Sequence, residues 1–307
     1  MSFNLLMGTL EQGLAYGLLA MGVYVTFRIL DFPDLTVEGS FPLGAAVAAV
    51  SIVSGVNPFL ATFFAFLAGC IAGIITGIIN TKLNIAGLLA GILTMTSLYS
   101  INLRIMGKSN IPLLRERTII SILRDFGIPA GYVALISFII IVFLIKGLID
   151  YFLYTELGMA VRATGDNSVM IETLGVNPDT IKIMGLALAN GLVALSGSLV
   201  AQYQGFTDIG MGIGMIVIGL ASVIIGEVVI RTSKIPFATL GVILGSIIYR
   251  LAIAVALQLG FAPTDLKVVT AVLVVLALGA PSLRKIMIQD EFAEYLLEGG
   301  RHDAKTK

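Results

Sequence analysis

The chain has 307 residues, of which 57% are apolar and only 12% charged, with a mean hydropathy of +1.00; a water-soluble core of this length has no room for so much apolar surface. Nineteen basic and nineteen acidic side chains cancel, so no basic field argues for nucleic acid, and each charge has to be read by position. One Cys (Cys70) and one His (His302) are too few for a zinc centre of the usual kind or for a hydrolytic triad.

The start of the chain, 1–14, has no Lys or Arg to form the positive region of a signal peptide, so the first apolar segment is expected to be a retained span. Apolar runs near the length of a span, roughly 20 residues, fall at 5–30, 40–54, 59–80, 86–106, 131–151, 181–204, 212–229, 235–257 and 268–278. The second and the last are short. Short, Gly- or Pro-interrupted runs in a membrane are usually broken helices shielded by neighbours, because lipid gives freed backbone groups no partner, and the second run follows "DFPDLTVEGSFPLG". The expected fold is therefore all-α and polytopic, with about eight to ten transmembrane or broken helices: a membrane domain over 1–280 and a polar tail over 281–307. In the tail, "IQDEFAEYLLEGG" spaces Phe292, Tyr295 and Leu296 as an amphipathic helix would.

Glycines repeat at four-residue spacing at Gly69, Gly73 and Gly77, at Gly87 and Gly91, and at Gly241 and Gly245, which places small residues on one helix face for close packing. The stretch "VRATGDNSVMIETLGVNPD" (161–179) interrupts the apolar chain. Asp166 or Asn167 can cap a short helix there, Met170 and Leu174 form an i, i+4 apolar pair, and Gly165 and Gly175 bracket the segment. Asn177 or Asp179 can cap the next span. A solvated loop and a short docking helix both fit this pattern. If this loop is cytoplasmic, alternation places Arg28, Lys82, Arg231, Lys234, Arg284 and Lys285 on the same side, and the basic stretch from Arg104 to Arg124 on the other, against the positive-inside rule.

Charges within spans normally face a partner or a water-filled path. Arg250 either pairs with an acidic group such as Glu11 or meets the carboxylate of an amino-acid solute. Asp34, Thr36 and Glu38 stand where the broken helix would begin, a place suited to polar ligand groups or to simple capping. Gly210, Gly212 and Gly214 give an irregular start to the seventh span, near the external mouth. "MGKSN" (106–110) contains the end of a phosphate-loop motif, but its leading glycine position is Asn102 and no strand is expected before it, so ATP binding in this chain is not expected.

Four stretches together resemble the permease subunits of bacterial ABC importers of the branched-chain amino acid and ribose type: "DFPDLTVEGSFPLGAA", "GMAVRATGDNSVMIETLGVNPDTIKIMGLALANGLVALSGSLVAQYQGF", "GMGIGMIVIGLASVIIGE" and "LGSIIYRLAIAVALQLGFAPTDLKVVTAVLVVLAL". The subgroup it is most similar to contains single-permease systems, some of them linked to tryptophan or tyrosine uptake. The resemblance implies a multi-pass protein of the bacterial inner membrane that imports a small solute by alternating access and does no chemistry of its own. It implies a permease homodimer, two separate ATPase subunits that bind ATP and Mg, and an extracytoplasmic substrate-binding lipoprotein. The loop at about 155–180 would be the coupling element, with Gly165, Asp166, Asn167, Met170, Ile171, Leu174 and Gly175 against the ATPase. Asp34, Thr36, Glu38, Arg250, Gly210, Gly212 and Gly214 would be candidates for the translocation path. A stand-alone secondary transporter or channel is the main alternative, and would show membrane-embedded ion-coupling groups.

Overall fold

The computed structural model describes residues 3–125, 131–232, 234–262, 265, 268–272 and 275. Within them the regular elements are helices, apart from two three-residue strands. The helices are α1 (Phe3–Val23, continued by a π-helical turn, Tyr24–Ile29), α2 (Val37–Val53), α3 (Pro58–Thr81), α4 (Gly87–Met106), α5 (Ile119–Asp125), α6 (Val133–Tyr154), α7 (Glu156–Asp166), α8 (Ser168–Thr173), α9 (Pro178–Gln204), α10 (Met215–Val229) and α11 (Ile235–Gln258). Six are long and apolar enough to cross a membrane: α3, α4, α6, α9, α10 with the turn before it, and α11. The protein is thus an all-α polytopic membrane protein. The expected ninth span, 268–278, is described only in part, and the tail, 281–307, lies outside the described residues.

Burial sorts the helices into centre and rim. In the most apolar window of α9, 78% of residues are buried, against 33% in α3 and 28% in α4 and α6. The centre is therefore α9, wrapped by α1, α2 and α3, while α10 and α11 pack on each other and on α1. On the rim, α3 turns Phe59, Phe63, Phe64, Leu67 and Ile71 outward, a surface for lipid tails.

Close approach of the central helices rests on glycine. A Cβ on Gly73 would fall 2.2 Å from the Leu186 carbonyl oxygen, and one on Gly69 would fall 2.4 Å from that of Asn190, so the α3 stripe seats α3 on the α9 backbone. Gly44 and Gly197 do the same between α2 and α9, facing the Ala194 and Phe41 carbonyl oxygens at 1.9 and 2.0 Å.

Chain direction and contacts define two faces. On one, Lys82 pairs with Asp179 across 3.4 Å, Arg28 pairs with Glu227 at 2.6 Å, and α7 and α8 lie between α6 and α9. On the opposite face, β1 (Asn110–Pro112) and β2 (Phe206–Asp208) pair antiparallel, with Ile111 opposite Thr207. The Gln202 side chain there accepts from the Ile119 amide at 3.0 Å. The basic stretch from Arg104 to Arg124 therefore shares a face with the α9–α10 turn, not with Arg162.

Candidate functional site

Three constructions hold the polar residues singled out in the sequence. The first is the arm between α6 and α9. Thr155 caps α7, its hydroxyl accepting from the Gly158 amide at 3.3 Å, and Gly158 lies so near the end of α6 that a Cβ would meet the Phe152 carbonyl oxygen at 2.1 Å. This tight elbow and α7 itself were not legible in the sequence, where the segment's charges resemble a loop. A Cβ at Gly165 would approach the Ile29 carbonyl oxygen to 1.9 Å, which presses the arm against the end of α1. Asn167, not Asp166, caps α8, with its Oδ1 accepting from the Met170 amide at 3.0 Å. Gly175 closes the segment at φ +82°, a left-handed conformation that favours glycine. Ile171 points inward and is buried, whereas Val169, Met170 and Leu174 are 68%, 54% and 66% exposed. The result is a short capped helix that is apolar on its outer side. Beside it, Asp166 lines a polar cavity of about 320 Å³ with Tyr24, Arg28, Arg162, Glu227 and Thr232.

The second construction fixes the break before α2. Asp34 and Thr36 are fully buried. Asp34 accepts from the Thr36 amide at 2.9 Å and from the Asn190 side-chain amide at 2.7 Å, and Asn190 in turn accepts from the Ser40 hydroxyl at 2.7 Å. Thr36 and Thr76 hydroxyls meet at 2.8 Å. The network ties the start of α2 to α3 and α9 and satisfies the polar groups that a broken helix frees. Asp34 and Thr36 thus sit in a packed junction in this conformation and line none of the described cavities. Asn190 and Thr76, which complete the junction, carried no signal in the sequence beyond being polar residues in apolar helices.

The third construction is a cavity of about 460 Å³ at the start of α2, lined by Glu38, Ile213, Gly214, Val217, Ile218, Tyr249, Arg250, Ile253 and Thr270. Gly214, at φ +85°, donates its amide to Glu38 Oε1 at 3.0 Å, and a Cβ on Gly212 would strike the Glu38 carbonyl oxygen at 1.9 Å. The glycine turn is thereby clamped onto α2. Gly210 belongs to the adjoining turn, donating its amide to Asp208 at 2.8 Å. Arg250 lies over the ring of Tyr16, 3.8 Å from its centroid, and Tyr16 stacks on Phe41. The expected pairing of Arg250 with Glu11 is not formed: Glu11 accepts instead from the Tyr203 hydroxyl at 2.8 Å. Arg250 also lines a second cavity of about 410 Å³, with Asn4, Thr9, Gln12 and Gln258. Glu38, Gly214 and Arg250, far apart in the chain, thus meet around one space, with Gly212 backing it.

Polar, cavity-lining groups held at the break of a helix inside a multi-pass bundle define a membrane transport protein, and no cluster of His, Cys, Asp and Glu among the described residues would hold a metal ion. Residues 5–278 match the family described as "Branched-chain amino acid transport system / permease component", and the chain belongs to that family. It is 45% identical over 278 residues, 91% of this chain and 92% of the relative, to a "Tyrosine transport system permease protein" of Clostridioides difficile (strain R20291). It is 37% identical over 281 residues, 90% of this chain and 98% of the relative, to an uncharacterized protein of Rickettsia prowazekii (strain Madrid E). No solved structure matches the chain. It is therefore the permease component of a branched-chain amino acid-type transport system, a multi-pass protein of the kind found in the bacterial inner membrane.

Proposed function

We propose that this chain is the membrane-spanning subunit of an ATP-driven importer for an amino acid, with ATP and Mg bound by a separate ATPase and the solute delivered by an extracytoplasmic binding protein. The observation that carries the reading is the arm. A permease driven from outside needs a lever rigidly joined to its spans and apolar enough to seat in a partner's cleft. Met170 in α8 and Leu174 just past its end supply the apolar side, Asn167 and Gly175 fix its ends, and Gly165 joins the lever to α1. On this reading the arm's face is cytoplasmic, α8 is the ATPase contact, and a second copy of the chain completes the transporter. The name of the Clostridioides relative favours tyrosine or a similar amino acid as solute.

Gentle purification of the tagged protein from its native membrane, followed by identification of each accompanying polypeptide, tests this. A stoichiometric ATPase is the expected result. A solitary protein that still moves solute in liposomes would support the alternative, a stand-alone secondary transporter or channel.

A further inference from the structure

On the importer reading the face opposite the arm is extracytoplasmic, and the basic stretch from Arg104 to Arg124 runs against the bias that keeps Lys and Arg out of translocated loops. Its basic side chains, Arg104, Lys108, Arg115, Arg117 and Arg124, outnumber the acidic Glu116 and Asp125. All of these cations are exposed, and none forms an ion pair or side-chain hydrogen bond with another described residue. Neither membrane topology nor internal pairing therefore accounts for them.

The backbone beneath these charges is fixed. Gly107 ends α4 at φ +65°, the Ser109 carbonyl accepts from the Ile209 amide at 3.0 Å, β1 pairs with β2, and the Leu113 amide donates to the Gly205 carbonyl at 2.7 Å. With the Ile119 amide held by Gln202, the segment is tied along its length to the end of α9 and the strand after it. On its outer side Pro112 lies opposite Phe206, both exposed, and Leu114, which rests on Gly205, is 83% exposed. Arg115 and Arg117 follow Leu114, and Lys108 precedes β1. An apolar centre with a charged rim on a preformed backbone has the make-up of a protein-docking surface.

Two features define the occupant. The sign of the rim calls for an acidic partner. The segment also closes over the end of α9, the centre of the bundle, rather than over its lipid-facing rim, which favours a soluble protein over lipid headgroups. From β2 the chain passes directly into Ile209–Gly212 and then Gly214, which borders the cavity of about 460 Å³, so a partner seated here stands beside a space open to solute.

We propose that Leu114, flanked by Lys108, Arg115 and Arg117, is the docking surface for an acidic lobe of the extracytoplasmic binding protein, with Leu114 as apolar anchor and the three cations paired to carboxylates. The proposal rests on the importer reading and adds to it the residues that receive the carrier of the solute.

The test titrates the permease with its ATPase, held in nanodiscs of phosphatidylcholine alone, with the binding protein that sustains tyrosine uptake in proteoliposomes. Affinity is expected to fall about tenfold or more between about 0.05 and about 0.5 M NaCl, as salt screens the charges. Arg115→Glu with Arg117→Glu should weaken binding by about tenfold or more, chiefly through the association rate, whereas Leu114→Ser should act through the dissociation rate. Arg231→Glu, on the arm's face, is the control and should bind as wild type does. If the double Glu variant does not fold, Arg115→Gln with Arg117→Gln carries the same test with a smaller loss. Affinity that ignores salt, or wild-type affinity in the Arg115, Arg117 and Leu114 variants, would overturn the surface. So would a double variant that binds normally but loses uptake only in vesicles containing phosphatidylglycerol, which would assign the cations to lipid headgroups. Uptake that needs the binding protein but is indifferent to these substitutions removes the docking surface alone; uptake by the permease without binding protein or ATP removes the importer reading and the surface with it.

Discussion

Replacing Gly44 by alanine should loosen the centre of the bundle. The new Cβ would lie 1.9 Å from the Ala194 carbonyl oxygen, while ordinary contact begins near 3.4 Å, so α2 and α9 must separate by about 1.5 Å at that point. The obstacle is backbone on both sides and no rotamer change can relieve it. Overpacking of this kind costs about 1–3 kcal/mol, and because the obstacle is backbone the cost falls at the upper end; set against a gain of about 1 kcal/mol in helix propensity, it leaves a net destabilisation of up to about 2 kcal/mol. Gly147→Ala in α6 is the control: nothing lies within 4 Å of its Cβ, so only the propensity gain applies and the protein should be unchanged or slightly more stable. The chain has no Trp, but its single thiol, Cys70, is partly buried in α3, where a Cβ on Gly191 of α9 would approach its sulfur to 2.7 Å. A maleimide dye that fluoresces on reaction with Cys70 during heating therefore reports the opening of α3 from α9. Gly44→Ala should react at a lower temperature than wild type and Gly147→Ala should not. Equal transitions for Gly44→Ala and wild type would refute the backbone contact.

The same thiol assay reads the junction at the helix break: Asp34→Ala orphans the Thr36 amide and one Asn190 donor, at about 1–3 kcal/mol for each buried group, and Asp34→Asn, which keeps one acceptor, should fall between it and wild type. An Asp34→Asn protein as stable as wild type would remove the junction's assigned role. Asn167→Ala deletes the cap of α8, worth about 0.5–2 kcal/mol locally, and hydrogen exchange at Met170 should quicken while the thiol transition stays put. Met170→Glu with Leu174→Glu places charge on the exposed side of α8, and the expected outcome is loss of ATPase co-purification from a protein that still inserts in the membrane.

The long spans were legible because hydrophobic length alone identifies α3, α4, α6, α9 and α11. The break in the chain ahead of a short second helix was legible too, from the polar residues and prolines of "DFPDLTVEGSFPLG", although α2 itself runs unbroken from Val37 to Val53. The stripe at Gly69, Gly73 and Gly77 showed a packing face but not its partner, since only helix rotations reveal that α9 receives it. Gly44 and Gly197 stand outside any such repeat, so the α2–α9 contact carried no spacing signal. α7 escaped because Glu156, Arg162 and Asp166 mask the buried Gly158, Val161 and Thr164. The strands β1 and β2, three residues each, are too short to show a period of two. Glu11 was a reasonable partner for Arg250 by charge alone, yet it engages Tyr203 while the Tyr16 ring meets the arginine, a choice fixed by helix rotation rather than by residue type.

The most direct measurement of the central claim is accumulation of radiolabelled tyrosine in proteoliposomes that contain this permease, the ATPase that accompanies it and the binding protein. Uptake that requires ATP hydrolysis and all three components is the predicted result. Uptake by the permease alone, driven by a sodium or proton gradient without ATP, would contradict it.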